Sequence, residues 1–330
     1  MDFKQLSGLI SAHAEARIVH VAVELGLFDR LAEKPSNANE LSLQLHIEAA
    51  ATELLLNALA ALQLVTKSSD IFSLTESAQK YLVSKSPTSL CGMIHFESSR
   101  WNEWGRLAES IRSGRPARSP NMYQDDAHET ATFIEAMDSL VKARGDAEIL
   151  ARAIDWHGVE SLLDIGSGPA TYPIYLCRQF PDLCATIFDL PGTLEITKRF
   201  IRQAAMDQRI ELIAGDYRCD AIPGSYDAIF LSNIIHGENS EKNAALISKL
   251  TSALKAHGRI IIKDHILNNS RANPPVGAIF SLLMLLTTDG GRCYSLGEIK
   301  SWMERAGLNH VEQIDLPPPL TSSLVIGQRD

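Results

Sequence analysis

An alternation of strand and helix patterns that begins near Gly158 constrains the fold of this chain more than any other feature. Short apolar runs alternate there with longer amphipathic stretches, and parallel strands need helical crossovers of that kind. The alternation therefore predicts an α/β fold with a doubly wound, mostly parallel sheet and helices on both faces. The predicted strands are Ser161–Ile165, Cys184–Phe188, Ile210–Ile213, Ala228–Leu231, Arg259–Lys263 and Ser322–Gly327, and the predicted helices are Tyr172–Gln179, Thr193–Met206 and Glu241–Leu254.

The first part of the chain has a different pattern, which predicts a separate, mainly α-helical domain. Apolar residues at helical spacing predict helices at Ala12–Leu27, Asn39–Leu45 and Ala49–Leu62. Two short strands around a polar turn follow at Leu64–Thr75. Because helices followed by a hairpin are typical of a winged helix, we predict a winged-helix domain over 1–95.

Residues 96–155 are predicted to form a helical connector between the two domains. A Pro- and Gly-rich break at Gly114–Pro120 interrupts it, and the amphipathic run Thr132–Ile154 ends it. The α/β domain then covers 156–330. Its apolar helix, Val276–Thr288, is too short for a bilayer, since a span needs about 20 residues. We expect this helix to line a pocket or an interface, or to lie in the core.

Charge argues against nucleic acid or a membrane surface as a partner. The chain of 330 residues has a formal net charge of −9, and residues 1–100 hold eight Lys or Arg against eleven Asp or Glu. The predicted helix Ala49–Leu62 contains no Lys or Arg, whereas DNA binding depends on cations that neutralise phosphates. We therefore expect the N-terminal domain to dimerise or to cover a substrate. The absence of a signal-peptide pattern and five scattered cysteines indicate reduced thiols, no zinc site and a cytoplasmic location.

The first strand of the α/β domain runs into a glycine-containing loop, Asp164-Ile-Gly-Ser-Gly-Pro-Ala170. Gly166 suits a tight turn, and Gly168 lets the backbone approach a ligand closely. A dinucleotide site has the pattern G-x-G-x-x-G, whereas this loop reads G-S-G-P-A-T and lacks the third glycine. Asp164 would also repel a pyrophosphate, so it favours a ligand with an amine or another positive group.

Two further carboxylates follow the second and third predicted strands. Asp189, about 20 residues beyond the loop, fits a ribose diol. Asp216 is suited to accept from an adenine amine, and Tyr217 to lie against the ring. Three acids with no basic residue among them describe an adenosine ligand without phosphates and with a positive centre, as in S-adenosyl-L-methionine. For any single Asp, a helix or turn cap is the alternative interpretation.

The motifs L-L-D-I-G-S-G, F-D-L-P, A-G-D-Y and S-N-I-I-H resemble those of class I S-adenosylmethionine-dependent methyltransferases. Nearly the whole chain is similar to the small-molecule O-methyltransferases, which include caffeate O-methyltransferase and bacterial natural-product enzymes. The resemblance implies a Rossmann-like domain, S-adenosyl-L-methionine as cofactor and no metal. It also implies a small-molecule acceptor with a hydroxyl, aromatic or polyketide-type, and a homodimer formed through the winged-helix dimerisation domain.

The resemblance further implies roles for individual residues. His236, which follows the fourth predicted strand, stands where the family has its general base, and Asp264 stands where it has an orienting carboxylate. The expected cofactor-binding residues are Asp164, Gly166, Gly168, Asp189, Leu190, Asp216, Tyr217, Ser232 and Asn233. The expected acceptor-binding residues are Phe133, Met137, Gly237, Glu238, Met284 and Cys293.

Three positions depart from the family pattern. Gly237-Glu238 stands in place of Asp-Trp, Cys293 in place of a second orienting acid, and Ala170 in place of a glycine. The first two belong to the expected acceptor site, so C- or N-methylation, or another use of the same cofactor, stays an alternative. A nicotinamide-dependent oxidoreductase is opposed by the incomplete glycine motif. A winged-helix regulator that senses the cofactor is opposed by the acidic N-terminal domain.

Charged residues beside the expected base have competing interpretations. His265 is a rival base because it adjoins Asp264, but side chains alternate along a strand and its ring is expected to point away. Lys263 and Arg292 are candidates to balance charge near the pocket, but for both we expect solvated surface positions instead.

Overall fold

The computed structural model describes residues 1–121 and 123–330, which form two compact units. The N-terminal unit consists of Met1–Trp101 and Glu135–Ala143, and the C-terminal unit of Asn102–Ile134 and Arg144–Asp330. Each unit has a hydrophobic core of its own.

The N-terminal unit is a set of helices with one antiparallel hairpin, as the winged-helix pattern predicted. Its core includes fully buried Leu27, Leu41, Leu56 and Phe72. Its elements are α1 (Phe3–Glu24), α2 (Leu27–Glu33), α3 (Ala38–Leu45), α4 (Ala49–Ala61), β1 (Val65–Ser68), β2 (Ile71–Leu74), α5 (Glu76–Tyr81) and α6 (Cys91–Ser99).

Helix α1 begins well before the predicted start at Ala12. Asp2 accepts from the backbone N–H of Gln5, whose side chain accepts in turn from the N–H of Asp2, and this capping box satisfies the first turn. Residues 1–16 are exposed, so their apolar residues do not form the half-buried stripe on which the prediction relied. Gly26, at φ 70°, then separates α1 from α2.

The predicted amphipathic run Thr132–Ile154 is two helices in the structure. The helices that follow α6 are α7 (Trp101–Gly105), α8 (Leu107–Ser113), α9 (Ala127–Arg144) and α10 (Asp146–Ala153). Gly145 separates the last two because it takes a left-handed conformation at φ 70°, which an α-helix cannot continue. Helix α9 contributes residues to both units.

A mostly parallel sheet with helices is the basis of the C-terminal unit, and the predicted α/β fold is confirmed. Within the described residues its strands form one seven-stranded sheet, in the order β5-β4-β3-β6-β7-β9-β8. Strands β3 to β7 pair in parallel, and β8 and β9 run antiparallel at one edge. The elements are β3 (Ser161–Ile165), α11 (Thr171–Gln179), β4 (Cys184–Asp189), α12 (Pro191–Gln203), β5 (Ile210–Ala214), β6 (Tyr226–Ser232), a 3₁₀ turn (Ile235–Gly237), α13 (Ser240–Ser252), β7 (Leu254–Asp264), α14 (Pro275–Thr287), α15 (Leu296–Arg305), β8 (Leu308–Asp315) and β9 (Ser323–Arg329).

Helix α15 and strand β8 were not among the predicted elements. The start of α15 carries a sequence signal, because Ser295 and Glu298 form a capping box. The sequence pattern of strand β8 does not indicate a strand, because its apolar residues Leu308, Val311 and Ile314 recur every three positions. A register shift between Asn309 and Glu312 breaks the expected alternation by two.

The parallel strands β3 to β7 place their carboxyl ends along one edge of the sheet, where open α/β sheets bind ligands. The glycine loop, the expected acids and His236 all follow these strand ends. In residues 1–121 and 123–330, every helix is too short or too polar to cross a membrane.

Candidate active site

The loop between β3 and α11 has three left-handed residues, Gly166, Gly168 and Ala170, with φ of 63°, 61° and 62°. A Cβ on Gly166 would lie 2.5 Å from Ile234 Cδ1, so a side chain at this position would displace the end of Ile234. The Gly168 N–H donates to Asp189 Oδ2, and its carbonyl accepts from Thr197 Oγ1 at 2.6 Å. The loop is therefore fixed to β4 and α12 in a tight turn.

Ala170 adopts the conformation that a glycine takes most easily. A left-handed conformation costs an L-residue about 1–2 kcal/mol, and Ala170 is also fully buried at the N-cap of α11. The loop thus keeps its shape without the glycine that the family pattern has there.

Two of the expected cofactor ligands, Asp164 and Asp189, are buried carboxylates on neighbouring strands. Burial raises the pKa of Asp164 to about 8, although Ser167 Oγ donates to it at 2.6 Å. Burial also raises the pKa of Asp189 to about 6, against the hydrogen bonds from the N–H groups of Gly168 and Leu190. Among the described residues, no Lys or Arg forms an ion pair with either carboxylate.

Two buried acids without cationic partners fit a ligand that carries positive charge. Their carboxylates would be stabilised by an ammonium or sulfonium group and by hydroxyl donors, all of which S-adenosyl-L-methionine has.

The third expected acid, Asp216, differs from the other two. It forms a bidentate ion pair with Arg218, with Nη2 at 2.7 Å and Nε at 2.9 Å, so the expectation of no basic residue among the acids was wrong. The ion pair and hydrogen bonds from Arg218 hold the pKa of Asp216 below its usual value. Tyr217 packs against the core of the unit, and burial raises its pKa.

His236 lies in the 3₁₀ turn after β6, and its ring is paired with Asp264 at the end of β7. Nδ1 lies 2.9 and 3.0 Å from the two oxygens of Asp264, and both residues are buried. Burial alone would raise the pKa of Asp264, but the attraction and hydrogen bond to His236 hold it below its usual value. A carboxylate on Nδ1 leaves Nε2 for a second partner.

Neighbouring elements fix the turn that carries His236. Asn243 Nδ2 donates to the carbonyls of Ile235 and Glu238. The backbone at Gly291 passes so close that a Cβ there would lie 2.3 Å from the His236 carbonyl oxygen. On α14, Phe280 meets the His236 ring edge to face, with centroids 4.9 Å apart.

The rival histidine, His265, has a different partner. Its Nδ1 lies 3.0 Å from the Thr321 carbonyl oxygen, and its backbone N–H donates to Asp264 Oδ1. Of the two rings, that of His236 is the one bonded to the Asp264 carboxylate, as strand alternation predicted.

The expected acceptor-binding residues are found in several places. Cys293 is buried, which raises its pKa to about 12, and the Asp264 carboxylate adds to that shift. Met284 is buried on α14, and Phe133 stacks on Tyr123 with centroids 4.6 Å apart. Met137 belongs to the part of α9 in the N-terminal unit.

Gly237 and Glu238 complete the expected acceptor set. Both are buried, and Gly237 ends the 3₁₀ turn. Glu238 Oε2 forms an ion pair with Lys242 at 3.3 Å. The charge of Glu238 also raises the pKa values of Tyr217 and Arg218, so this carboxylate lies within electrostatic reach of the loop after β5.

A buried charged cluster lies under the same strand ends and was not predicted. Lys263 is fully buried and lies 3.2 Å from Asp146 Oδ2, so its expected surface position was wrong. Asp146, also fully buried, accepts from Arg144 Nε and Nη2 and from the Tyr172 hydroxyl. Arg292 is partly exposed and paired with Glu298. Sequence alternation alone does not reveal a buried Lys, because its position on β7 shows only which face it occupies.

Comparison with known proteins identifies two families along the chain. Residues 104–309 match the family described as the O-methyltransferase domain, and residues 7–84 match the O-methyltransferase dimerisation domain. The first match alone covers more than half of the 330 residues.

Individual relatives agree with this. A 3-hydroxy-5-methyl-1-naphthoate 3-O-methyltransferase of Streptomyces sahachiroi is 29% identical over 98% of this chain and 94% of its own. The N,N-dimethyltransferase OxyT of Streptomyces rimosus is 28% identical over 79% of this chain and 78% of its own. The crystal structure of human N-acetylserotonin methyltransferase in complex with SAM shares the fold, with a TM-score of 0.90 at 22% identity over 99% and 97% of the two chains. This chain belongs to the family of S-adenosyl-L-methionine-dependent O-methyltransferases and carries that family's dimerisation domain.

Proposed function

We propose that this enzyme transfers a methyl group to a hydroxyl of a small aromatic or polyketide-type acceptor, with His236 as general base and Asp264 as the carboxylate that orients it. The observation that carries the proposal is the 2.9 Å contact between His236 Nδ1 and Asp264 in a buried turn at the ligand-binding edge of the sheet. Because Nδ1 faces the carboxylate, Nε2 is left to receive a proton from an acceptor.

The chemistry of the step defines what these residues have to do. S-adenosyl-L-methionine supplies an activated methyl group when it is bound. The protein then has to align the acceptor oxygen and remove its proton, and general-base catalysis contributes roughly 10²–10⁴-fold. His236 accepts that proton at Nε2, and Asp264 stabilises the resulting imidazolium and fixes the ring tautomer.

For the cofactor we propose contacts that follow from burial and charge. Asp164 binds the amine, Asp189 the ribose hydroxyls, and Tyr217 with Asp216 the adenine. Leu190, Ser232 and Asn233 line the same strand ends. The support is that Asp164 and Asp189 are buried without a cationic partner in the described parts of the chain.

An aromatic side chain packs against His236, which favours a flat aromatic acceptor. Phe280 meets its ring, and the buried residues Met284 and Cys293 belong to the same stretch of chain. The naphthoate acceptor of the Streptomyces sahachiroi relative has the same character.

Transfer to an amine nitrogen is the second candidate. The N,N-dimethyltransferase relative favours it, and so does Gly237, where the family pattern has an acid beside the base.

Incubation with methyl-labelled S-adenosyl-L-methionine distinguishes these candidates. The acceptors are hydroxynaphthoic acids and other phenols, each paired with the aryl amine that replaces its hydroxyl. Label on the hydroxyl of at least one member, with none on the matched amine, is the expected result. Label on the amine alone supports N-methylation, and no transfer together with no cofactor binding contradicts the proposal.

We also propose that the enzyme is a homodimer formed through its N-terminal unit. Phe3, Leu6, Leu9 and Ile10 on α1 are 46–86% exposed and lie along one side of the helix. An apolar stripe of this kind is typical of a protein interface, and residues 7–84 match a dimerisation domain.

A further inference from the structure

The buried charged cluster of Arg144, Asp146, Tyr172 and Lys263 has a role that the acid-base pair does not explain. It contains two basic residues and one carboxylate. Arg144 binds Asp146 in bidentate fashion, at 3.0 and 2.8 Å, so this carboxylate already has a full cationic partner. Lys263 is thus a second basic group, and it shares the Asp146 carboxylate with Arg144.

The Nζ atom of Lys263 has hydrogen-bond donors without a hydrogen-bond acceptor in the described residues. It is fully buried and lies 3.2 Å from Asp146 Oδ2, but outside hydrogen-bonding geometry, and it forms no hydrogen bond with any residue of 1–121 or 123–330. An ammonium group has three hydrogen-bond donors, and burying donors that have no acceptor destabilises the fold.

The position of Lys263 shows what its charge faces. In the register of β6 and β7 it lies beside Ser232, so the two side chains are on the same face of the sheet. Its carbonyl accepts from the Asn233 N–H at 2.8 Å. Tyr172, in the first turn after the glycine loop, has its ring centroid 5.6 Å from Nζ, and its hydroxyl donates to Asp146. The cluster therefore ends at Ser232 and Asn233, which are partly exposed at the ligand edge.

We infer that Lys263 supplies the positive charge that stabilises the carboxylate of the cofactor's methionine moiety, bound at Ser232 and Asn233. The amino-acid end of the cofactor has one cationic and one anionic group on the same carbon. Asp164 lies on the neighbouring strand, in register with Phe230, and suits the ammonium group. The Lys263 side of the same edge then suits the carboxylate, which would give the ammonium of Lys263 a second anion besides Asp146, which it shares with Arg144.

This inference rests on the cofactor and not on the acceptor or on His236. Calorimetry without acceptor tests it, with S-adenosylhomocysteine and its decarboxylated analogue as the two ligands. We expect Lys263→Met to weaken binding of S-adenosylhomocysteine at least about tenfold and to leave the decarboxylated analogue unchanged. Lys255→Met is the matched control, because Lys255 lies at the other end of β7 and is partly exposed, and it should change neither affinity.

The variant is expected to fold, since Asp146 keeps its bidentate partner Arg144. Without cofactor its thermal midpoint should equal or exceed that of the wild type, because a buried ammonium with unmade hydrogen bonds is removed. If Lys263→Met fails to fold, Lys263→Gln provides the same comparison.

Equal weakening of both ligands would mean that Lys263 is only structural and would overturn the inference. No weakening of either ligand would do the same. If the wild type itself binds no S-adenosylhomocysteine, the cofactor assignment fails and the inference fails with it, whereas tight wild-type binding confines any failure to Lys263.

Discussion

Two aspartates of this sheet, on β3 and on β7 with β6 between them, have opposite electrostatic environments. Asp164 has no cationic partner, and burial raises its pKa to about 8. Asp264 is equally buried, yet His236 holds its pKa below the usual value. Asp164 is therefore suited to bind a positively charged ligand. Asp264 is suited to stay ionised and to hold the imidazole of His236.

Replacing Asp264 by Asn should separate the orientation of His236 from the binding of the cofactor. The amide has nearly the same shape but loses the charge that stabilises an imidazolium and selects the Nδ1–H tautomer of His236. We expect turnover to fall by at least about 10²-fold with cofactor affinity unchanged, measured by single-turnover kinetics and calorimetry. His265→Ala, which removes the ring bonded to Thr321, should retain most of the activity. Comparable losses in both variants would contradict the assignment.

Replacing Asp164 by Asn should change the pH dependence of stability. The folded pKa of about 8 exceeds the ordinary value of 3.8, so the folded state keeps a proton that the unfolded state releases. Wild-type stability therefore falls as pH rises through that window, and Asn removes the contribution. The variant's thermal midpoint, relative to wild type, should rise from about pH 5 to pH 8, while its cofactor affinity drops.

Asp125→Asn, at an exposed position, is the control for that experiment. This change removes a carboxylate outside the proposed cofactor site and should leave cofactor affinity unchanged. A difference in thermal midpoint between Asp164→Asn and the wild type that stays constant with pH would contradict the raised pKa of Asp164.

At this scale, sequence reasoning succeeds where the spacing of strand ends brings residues together. The pairing of His236 with Asp264 follows from two neighbouring parallel strands. The pairing of Asp216 with Arg218 depends instead on the rotamers of an exposed loop. The burial of Lys263 depends on Asp146, 117 positions away in sequence, which no local pattern reveals.

At the scale of elements, two short segments determine the site: the glycine loop after β3 and the 3₁₀ turn after β6. The glycine loop is held by the hydrogen bonds of Gly168 to Asp189 and Thr197, and the 3₁₀ turn by the close approach of the Gly291 backbone. The strands were predictable because apolar runs alternate with helices. Two departures had local causes, the left-handed Gly145 between α9 and α10 and the register shift in β8.

Gly291→Ala should displace the turn that carries His236 without changing the His236 side chain itself. The new Cβ would lie 2.3 Å from the His236 carbonyl oxygen and 2.5 Å from Thr288 Oγ1, so the 3₁₀ turn has to move. We expect a loss of about 1–3 kcal/mol in the free energy of unfolding, measured in urea, and a lower turnover number. Gly297→Ala is the control, because its Cβ would make only an ordinary 3.4 Å contact. Equal effects of the two changes would contradict this account of the turn.

At the scale of the whole molecule, each unit has its own core, and the N-terminal one also has an exposed apolar stripe on α1. Burying apolar area against a second copy contributes about 25 cal/mol per Å² removed from water. The sequence predicted dimerisation through acidic composition and resemblance, but not the stripe, since exposure is a property of the folded unit.

The double change Leu6→Glu with Leu9→Glu should therefore dissociate the dimer. Light scattering coupled to size-exclusion chromatography should give the mass of a dimer for the wild type and of one 36.2 kDa chain for the variant. Lys4→Glu is the control, because Lys4 lies on the opposite side of α1 by helical periodicity and should leave the dimer intact. A variant that stays dimeric would contradict the proposed interface.

The central claim is that His236 accepts the proton of the acceptor hydroxyl during methyl transfer. The decisive measurement is the turnover of His236→Ala with an identified hydroxyl acceptor, alongside its affinity for S-adenosylhomocysteine. We expect turnover at least about a hundredfold below the wild type with unchanged affinity, since the proposed base is lost and the strand ends proposed to bind the cofactor are retained. Wild-type turnover with intact cofactor binding would contradict the central claim.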